Sequence, residues 1–312
     1  MKILPLATLL MLPLNHLLWG GTSIQLGYIP IVNCAQIFVA QDRGLFHAHG
    51  LDVTLVKSVG GEHIMSALAA GELDFGFSNC ASTIFAIDDG QALVSVVGGA
   101  QQDASCPVHG IFVRADSHIH TVPDLAGRSI AVNTARAIDA VKIPLLLEKH
   151  ATDSRHLTFR PVPFAEMHMA VKSGSVDACV SIEPYVTIGR MDPGLRLISY
   201  PYIELQPITD ISSLVTTQTF ATQNPQAVIA FKAAIGEAAR WCNANPQQAR
   251  KVIARYVPLP EAVVEQMVLP RFMDDSLDHR RLDVLIQQMR SAGWIKNRFT
   301  ARDIILATPQ AH

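Results

Sequence analysis

This chain predicts a two-lobed α/β fold, and three observations carry the prediction. Over residues 24–90 a short apolar run is followed by a helical pattern, three times in succession. Such alternation implies a parallel sheet covered by helices, because parallel strands can be joined only by crossovers. A length of 312 residues exceeds one ordinary compact core, so two lobes are expected. Finally, the pattern of residues 67–74 returns at 170–177: a small-residue helix stops at Gly71 or Gly174, and Asp74 or Asp177 precedes a short buried strand. Function is then expected where strands end and helices begin.

Taken in order, the first strand spans 24–28 and Pro30 breaks it. Asn33 is placed to cap a helix over 34–43 that stops at Gly44. Gly50 suits a left-handed turn before a strand at 52–56. The next helix opens after Gly60 and Gly61, carries Ile64, Ala67 and Leu68 on one stripe, and ends at Gly71. A strand at 73–77 leads into a helix from Asn79 to Gly90. The runs 93–97 and 110–114 read as two more strands of the same lobe, the first buried on both faces. Asp116, Ser117 and the Pro123-Asp124 turn mark the passage to the second lobe, which starts with a strand at 128–133 and a helix over 134–150. A buried strand at 178–182 follows. Residues 212–220 read as a strand returning to the first lobe, and helices over 227–243, 247–256, 261–267 and 282–292 are expected to cover that lobe. The expected division is 24–117 with 211–312 for lobe one and 118–210 for lobe two.

Composition narrows the function. Hydrophobic residues are 49% and charged residues 17%, with a formal net charge of −2 and no basic block. Nucleic acid is therefore not an expected partner, since phosphate binding needs clustered Lys and Arg. Lys2 followed by an apolar run and by Gly20, Gly21, Thr22 and Ser23 resembles a signal peptide over 1–23. Export to a periplasmic or other extracytoplasmic space is expected, and no later stretch is long and apolar enough for a bilayer span. The five cysteines show no C-x-x-C spacing, which speaks against a disulfide scaffold or zinc knuckle. Cys106, Cys179 and Cys242 read as small buried hydrophobes, whereas Cys34 and Cys80 fall in strand-to-helix turns, where they could line a pocket or pair. His47 with His49, and His109 with His118 and His120, lack metal-ligand spacing, so no metal or cofactor is expected. Ser78, Ser82 and Asp88 have no positioned His partner, which gives nucleophilic catalysis no support.

Four blocks carry a family likeness. Gly27-Tyr28-Ile29-Pro30, Gln41-Asp42-Arg43-Gly44-Leu45-Phe46 and Gly50-Leu51-Asp52-Val53 form the first, and Ala70-Gly71-Glu72-Leu73-Asp74-Phe75-Gly76 the second. Asp124-Leu125-Ala126-Gly127-Arg128-Ser129-Ile130-Ala131-Val132 is the third, and Gly174-Ser175-Val176-Asp177-Ala178 through Glu183-Pro184 the fourth. Together they resemble the nitrate/sulfonate/taurine-type substrate-binding proteins of ABC importers, a superfamily shared with pyrimidine-precursor binders of thiamine salvage. The resemblance implies a type II periplasmic-binding-protein fold whose lobes close on a small-molecule solute. It also implies a monomer that serves an ABC permease in the membrane, with the ATPase a separate subunit; no G-x-x-x-x-G-K-[ST] run occurs in this sequence. The expected solute is a small anion of sulfonate, nitrate or carboxylate type. The alternatives are a thiamine-pyrimidine or aromatic-acid receptor, or a pyrimidine-synthase-like enzyme on the same scaffold, although the cysteine cluster of the fungal synthases is absent.

Helix N-termini hold anions without a metal. Asn33, Cys34 and Gln36 in one turn, and Ser78, Asn79 and Cys80 in another, are the expected ligand-binding groups of lobe one. In lobe two the matching turn holds Thr134 and Arg136; the Arg136 guanidinium suits a carboxylate or sulfonate, with an ordinary exposed helical Arg as the other reading. Glu183 either receives an amine or pyrimidine N–H of the solute or serves as a hinge or surface ion pair. Tyr185 is expected to stack on a flat solute.

Overall fold

The computed structural model describes residues 21–307. The expected signal peptide lies outside them apart from its last three residues, of which Thr22 and Ser23 already belong to the first strand. The chain runs through β1 (Thr22–Tyr28), α1 (Ala35–Asp42), α2 (Leu45–Ala48), β2 (Leu51–Lys57), α3 (Gly61–Ala69), β3 (Phe75–Asn79), α4 (Cys80–Asp88) and β4 (Leu93–Gly98). A short β5 (Ala100–Asp103) leads to β6 (His109–Arg114), β7 (Ser129–Val132), α5 (Ile138–Lys149), β8 (Thr158–Pro161), α6 (Met167–Lys172), β9 (Ala178–Ile182), α7 (Tyr185–Met191), β10 (Leu195–Ser199) and α8 (Pro201–Leu205). The return comprises β11 (Ile208–Asp210), β12 (Ser212–Thr217), α9 (Gln218–Gln223), α10 (Pro225–Ala244), α11 (Pro246–Tyr256), α12 (Glu261–Gln266), β13 (Arg271–Phe272), α13 (His279–Ser291) and α14 (Ala301–Ile304).

Two five-stranded sheets result, ordered β2-β1-β3-β12-β4 and β10-β6-β9-β7-β8. Read from its parallel edge, the second is β8-β7-β9-β6-β10, the same plan as the first. In each, the fourth strand is antiparallel to its neighbours and arrives from the other lobe: β12 beside β3 and β4, β6 beside β9 and β10. The short echo in the sequence has a structural counterpart. Gly71 and Gly174 take φ of 74° and 76°, ending their helices in the left-handed region that only glycine enters cheaply. Asp74 then accepts the Gln25 N–H at 2.7 Å and Asp177 accepts the Ser129 N–H at 2.8 Å, so each carboxylate ties the third strand's approach to the first strand of its own sheet.

Two expectations are corrected. The run 110–114 is expected in lobe one, but β6 pairs with β9 and β10 in the second sheet, and the outgoing crossover lies earlier, at β5. An apolar run that is buried on both faces reads alike in either sheet, so only its partners decide where it belongs. The C-terminal helices do not cover lobe one alone. Phe231 of α10 stacks on Phe75 at 3.9 Å in the lobe-one core, yet Leu282, Leu285 and Ile286 of α13 share one apolar cluster with Ile84 and Phe85 of α4 and with Ile138 and Val141 of α5. The two crossovers pair as β5 and β11, joined by β13 in a three-stranded sheet.

Candidate functional site

The parallel strands of both sheets point their C-terminal ends at one cavity of about 30 Å³. Ile29 and Ile31 after β1, Phe77 and Asn79 of β3, Asn133 after β7 and Ile182 of β9 reach it, together with Asn33, His109, Ala137, Ile138, Asp139, Phe164 and Ile211. This is the topological switch point of each sheet, where diverging crossovers leave a crevice. The lobes are closed over it. Asn133 donates its Nδ2 to the Val59 carbonyl at 2.9 Å, and Ser82 Oγ donates to the Arg136 carbonyl at 2.8 Å. A larger apolar hollow of about 420 Å³ lies elsewhere, between α10 and Leu306. Its one charged lining group, Lys232, is paired with Asp275 at 3.0 Å, so that hollow offers no convergent polar set.

The cavity's polar groups are buried and uneven. Asn33 is 1% exposed, and neither atom of its amide has a partner among the described residues. Buried amides are ordinarily satisfied, so an orphaned one facing a cavity marks a place where a ligand completes the bonding. Asn79 is already committed: its Oδ1 accepts the Ser82 N–H at 2.8 Å and caps α4. Burial pushes the Asp139 carboxyl up to about 7 although the Tyr202 hydroxyl donates to it. Burial also drives His109 down to about 3, leaving the imidazole neutral. Neither Lys nor Arg lines the cavity. Lys142, brought down to about 8 by burial, donates to Gln206 Oε1 at 3.2 Å instead.

The NMT1/THI5-like family model matches residues 31–249, which is more than half of the chain. The chain belongs to the NMT1/THI5-like family. The bicarbonate transport ATP-binding protein CmpC of Synechocystis sp. is 25% identical over 255 residues; these are 74% of this chain but only 36% of CmpC. The chain thus spans well under half the length of that curated relative. A Bacillus subtilis protein named for binding aliphatic sulfonates is 26% identical over 242 residues, 74% of this chain and 69% of its own. Among solved structures, the alkanesulfonate-binding protein SsuA of Xanthomonas axonopodis pv. citri, bound to MOPS, superposes with a TM-score of 0.78 at 20% identity, covering 91% of this chain and 98% of its own. At that identity the likeness concerns the fold, which is that of the periplasmic binding proteins.

Within this member of the NMT1/THI5-like family the expected site residues separate into two groups. Asn33 and Asn79 line the cavity. Asn33 does not cap a helix, however; it sits inside a short 3-10 turn, Val32–Cys34, ahead of α1. The other eight are not among the lining residues. Cys34 and Cys80 are buried free thiols, not a pair, and burial raises both well above the usual thiol range. Gln36 donates to the Gly98 carbonyl at 3.2 Å, and Ser78 Oγ to the Asn79 carbonyl at 3.1 Å. Thr134 is 4% exposed and lies against Gly60 across the lobe boundary. Arg136 turns away from the cavity to an ion pair with Asp89, the Phe85 carbonyl at 3.2 Å and the Phe85 ring at 4.5 Å. Its charge is thereby paired with a carboxylate of the opposite lobe.

For Glu183 the hinge alternative fits. Its carboxylate accepts the Thr187 N–H at 3.1 Å, the Thr187 hydroxyl at 2.8 Å and the Val268 N–H at 3.2 Å. Its backbone receives Val32 N–H at 3.1 Å and donates to Val108 at 2.9 Å, so strands of lobe two, the turn of lobe one and the C-terminal segment meet there. Burial raises this carboxyl to about 7. Tyr185 stacks on Phe164 at 6.4 Å behind the cavity wall.

His109, Asp139 and Phe164 reach the cavity without having been singled out as binding groups. Asp139 carried a legible signal: an acid in the first turn of a helix whose turn was already expected to bind. His109 and Phe164 carried none: a lone histidine reads as structural, and Phe164 opens a short 3-10 turn, Phe164–Glu166, that no motif marks.

Proposed function

We propose that this chain is the extracytoplasmic solute-binding receptor of an ABC importer. It closes its lobes over a small solute of the sulfonate, nitrate or carboxylate type and presents it to a membrane permease. The observation that carries the reading is the unpartnered Asn33 amide facing a cavity at the strand C-termini of two closed lobes. The N-terminus of α5, whose first turn supplies Ala137, Ile138 and Asp139 to the cavity, adds free N–H groups. The 30 Å³ closed cavity has room for roughly one or two waters, so entry of an organic solute requires the lobes to part. What the Bacillus relative and the Xanthomonas structure are named for supports the solute class; export, the permease, its ATPase and the monomeric state belong to the same proposal.

A receptor for a flat pyrimidine or aromatic acid is the second reading, favoured by Phe164 in the cavity wall with Tyr185 behind it. A thermal-shift screen over nitrate, bicarbonate, alkanesulfonates, aromatic carboxylates and aminopyrimidines tests both, because a ligand that binds only the native state raises its melting temperature. One class is expected to give a concentration-dependent rise. No rise with any of them would refute the receptor reading.

A further inference from the structure

Two acceptor groups, Asp139 and His109, stand together at one end of the cavity. Asp139 is 2% exposed and lines the cavity, and one of its carboxyl oxygens accepts the Tyr202 hydroxyl. The state of His109 follows from its neighbour. Gln102 Oε1 lies 3.2 Å from the Val108 N–H, which can only donate, so that atom is the amide oxygen. His109 Nδ1, 3.0 Å from the same oxygen, must therefore carry the proton. The Nε2 of the neutral ring is left with a lone pair. Tyr202 braces both groups, its hydroxyl on Asp139 and its ring stacked on His109 at 4.3 Å. The orphaned Asn33 amide offers both its carbonyl oxygen and its NH2 group to a ligand.

An inorganic anion alone would leave these acceptors unmatched and would lie against a carboxyl with no cation in the wall to offset it. A solute that brings its own positive N–H group satisfies them. We propose that Asp139 and His109 form the selective end of the cavity and receive an ammonium or amidinium group of the solute, whose anionic end faces the Asn33 amide. This rests on the receptor reading above and narrows it from anions in general to solutes that also carry a cation.

Calorimetry with two matched pairs tests it: taurine against ethanesulfonate, and β-alanine against propionate. Wild-type protein is expected to bind the amine-bearing member of at least one pair tenfold or more tightly. Asp139→Asn keeps an acceptor for Tyr202 and is expected to remove that preference while leaving the desamino member unchanged or tighter; its circular dichroism and melting curve check that it folds. Equal affinity within both pairs in the wild type overturns the inference while leaving the receptor reading intact, and so does a preference that survives in Asp139→Asn. No binding of any of the four probes counts against both.

Discussion

Removing the Arg136 guanidinium should open the protein without touching its solute contacts. Arg136 stands before α5 in lobe two and reaches across to α4 and the residue after it in lobe one, so everything it makes there exists only while the lobes are closed. The ion pair with Asp89 is one-third to one-half exposed, 35% and 48%, and is worth about 0.2–1 kcal/mol in water. The hydrogen bond to the Phe85 carbonyl adds roughly 0.5–1.5 kcal/mol, and the guanidinium over the Phe85 ring about 0.5–1 kcal/mol. Arg136→Ala should therefore shift the closed-open balance by about 1.2–3.5 kcal/mol, a factor of roughly 7 to 300 at about 1.4 kcal/mol per tenfold. Small-angle scattering of the ligand-free variant should report a larger radius of gyration. Calorimetry should report a weaker Kd by a common factor for every solute, charged or neutral, because affinity scales with the fraction of the binding-competent form. An unchanged radius together with unchanged affinities would refute the reasoning. A loss confined to anionic solutes would refute it differently, by making Arg136 a direct ligand.

Three further outcomes are expected. A Cβ on Gly60 would lie 2.6 Å from Thr134 Cγ2 and 2.7 Å from Asn133 Oδ1, across the lobe boundary, so Gly60→Ala should hinder closure by roughly 1–3 kcal/mol and weaken binding with little change in melting temperature; undiminished affinity in calorimetry would contradict this. Asn33→Ala removes an amide that is buried without partners, so ligand-free stability in urea should hold or rise while binding weakens by about 0.5–1.5 kcal/mol; a fall in stability would show that the amide is structurally satisfied. Glu183 keeps its proton in the folded state up to about pH 7, whereas the unfolded chain releases it near the ordinary value of 4.5. The unfolded state then binds fewer protons between those values, so Glu183 makes stability decline as pH rises from about 4.5 to about 7 and adds no slope above that. Glu183→Gln should flatten the decline in urea melts over that window, and an unaltered profile would contradict the assignment. Asp139, also raised to about 7, leaves a residual slope of the same sign.

Local rules carried the α/β alternation, the positions of β1, β2, β4, β7 and β9, and the Asn79 cap, because each rests on a few neighbouring residues: a β-branched run, a glycine at positive φ, an amide facing the next turn. The Asp74 and Asp177 echo was likewise readable, since it repeats in the sequence what the two sheets repeat in space. Asn33 was found as a polar group in a strand-to-helix turn, though for the wrong local role.

Tertiary structure decided the remainder. Residues 109–114 are as apolar as any lobe-one strand, and only their pairing with β9 and β10 moves them to the second sheet. Arg136 and Glu183 looked like solute ligands because charged groups at such turns commonly are. Asp89, at 47 positions' separation from Arg136, and Val268, at 85 from Glu183, could not be seen from local spacing, whereas Thr187, four residues beyond Glu183, is a local partner. The selective end of the cavity has the same character: Asp139 of α5, His109 of β6 and Tyr202 of α8 meet only because α8 packs against both α5 and β6. Hydrophobic period and turn chemistry are properties of adjacent residues and so are written along the chain; which buried charge faces which partner is a property of chain reversal over tens of residues, and only the folded sheets determine it.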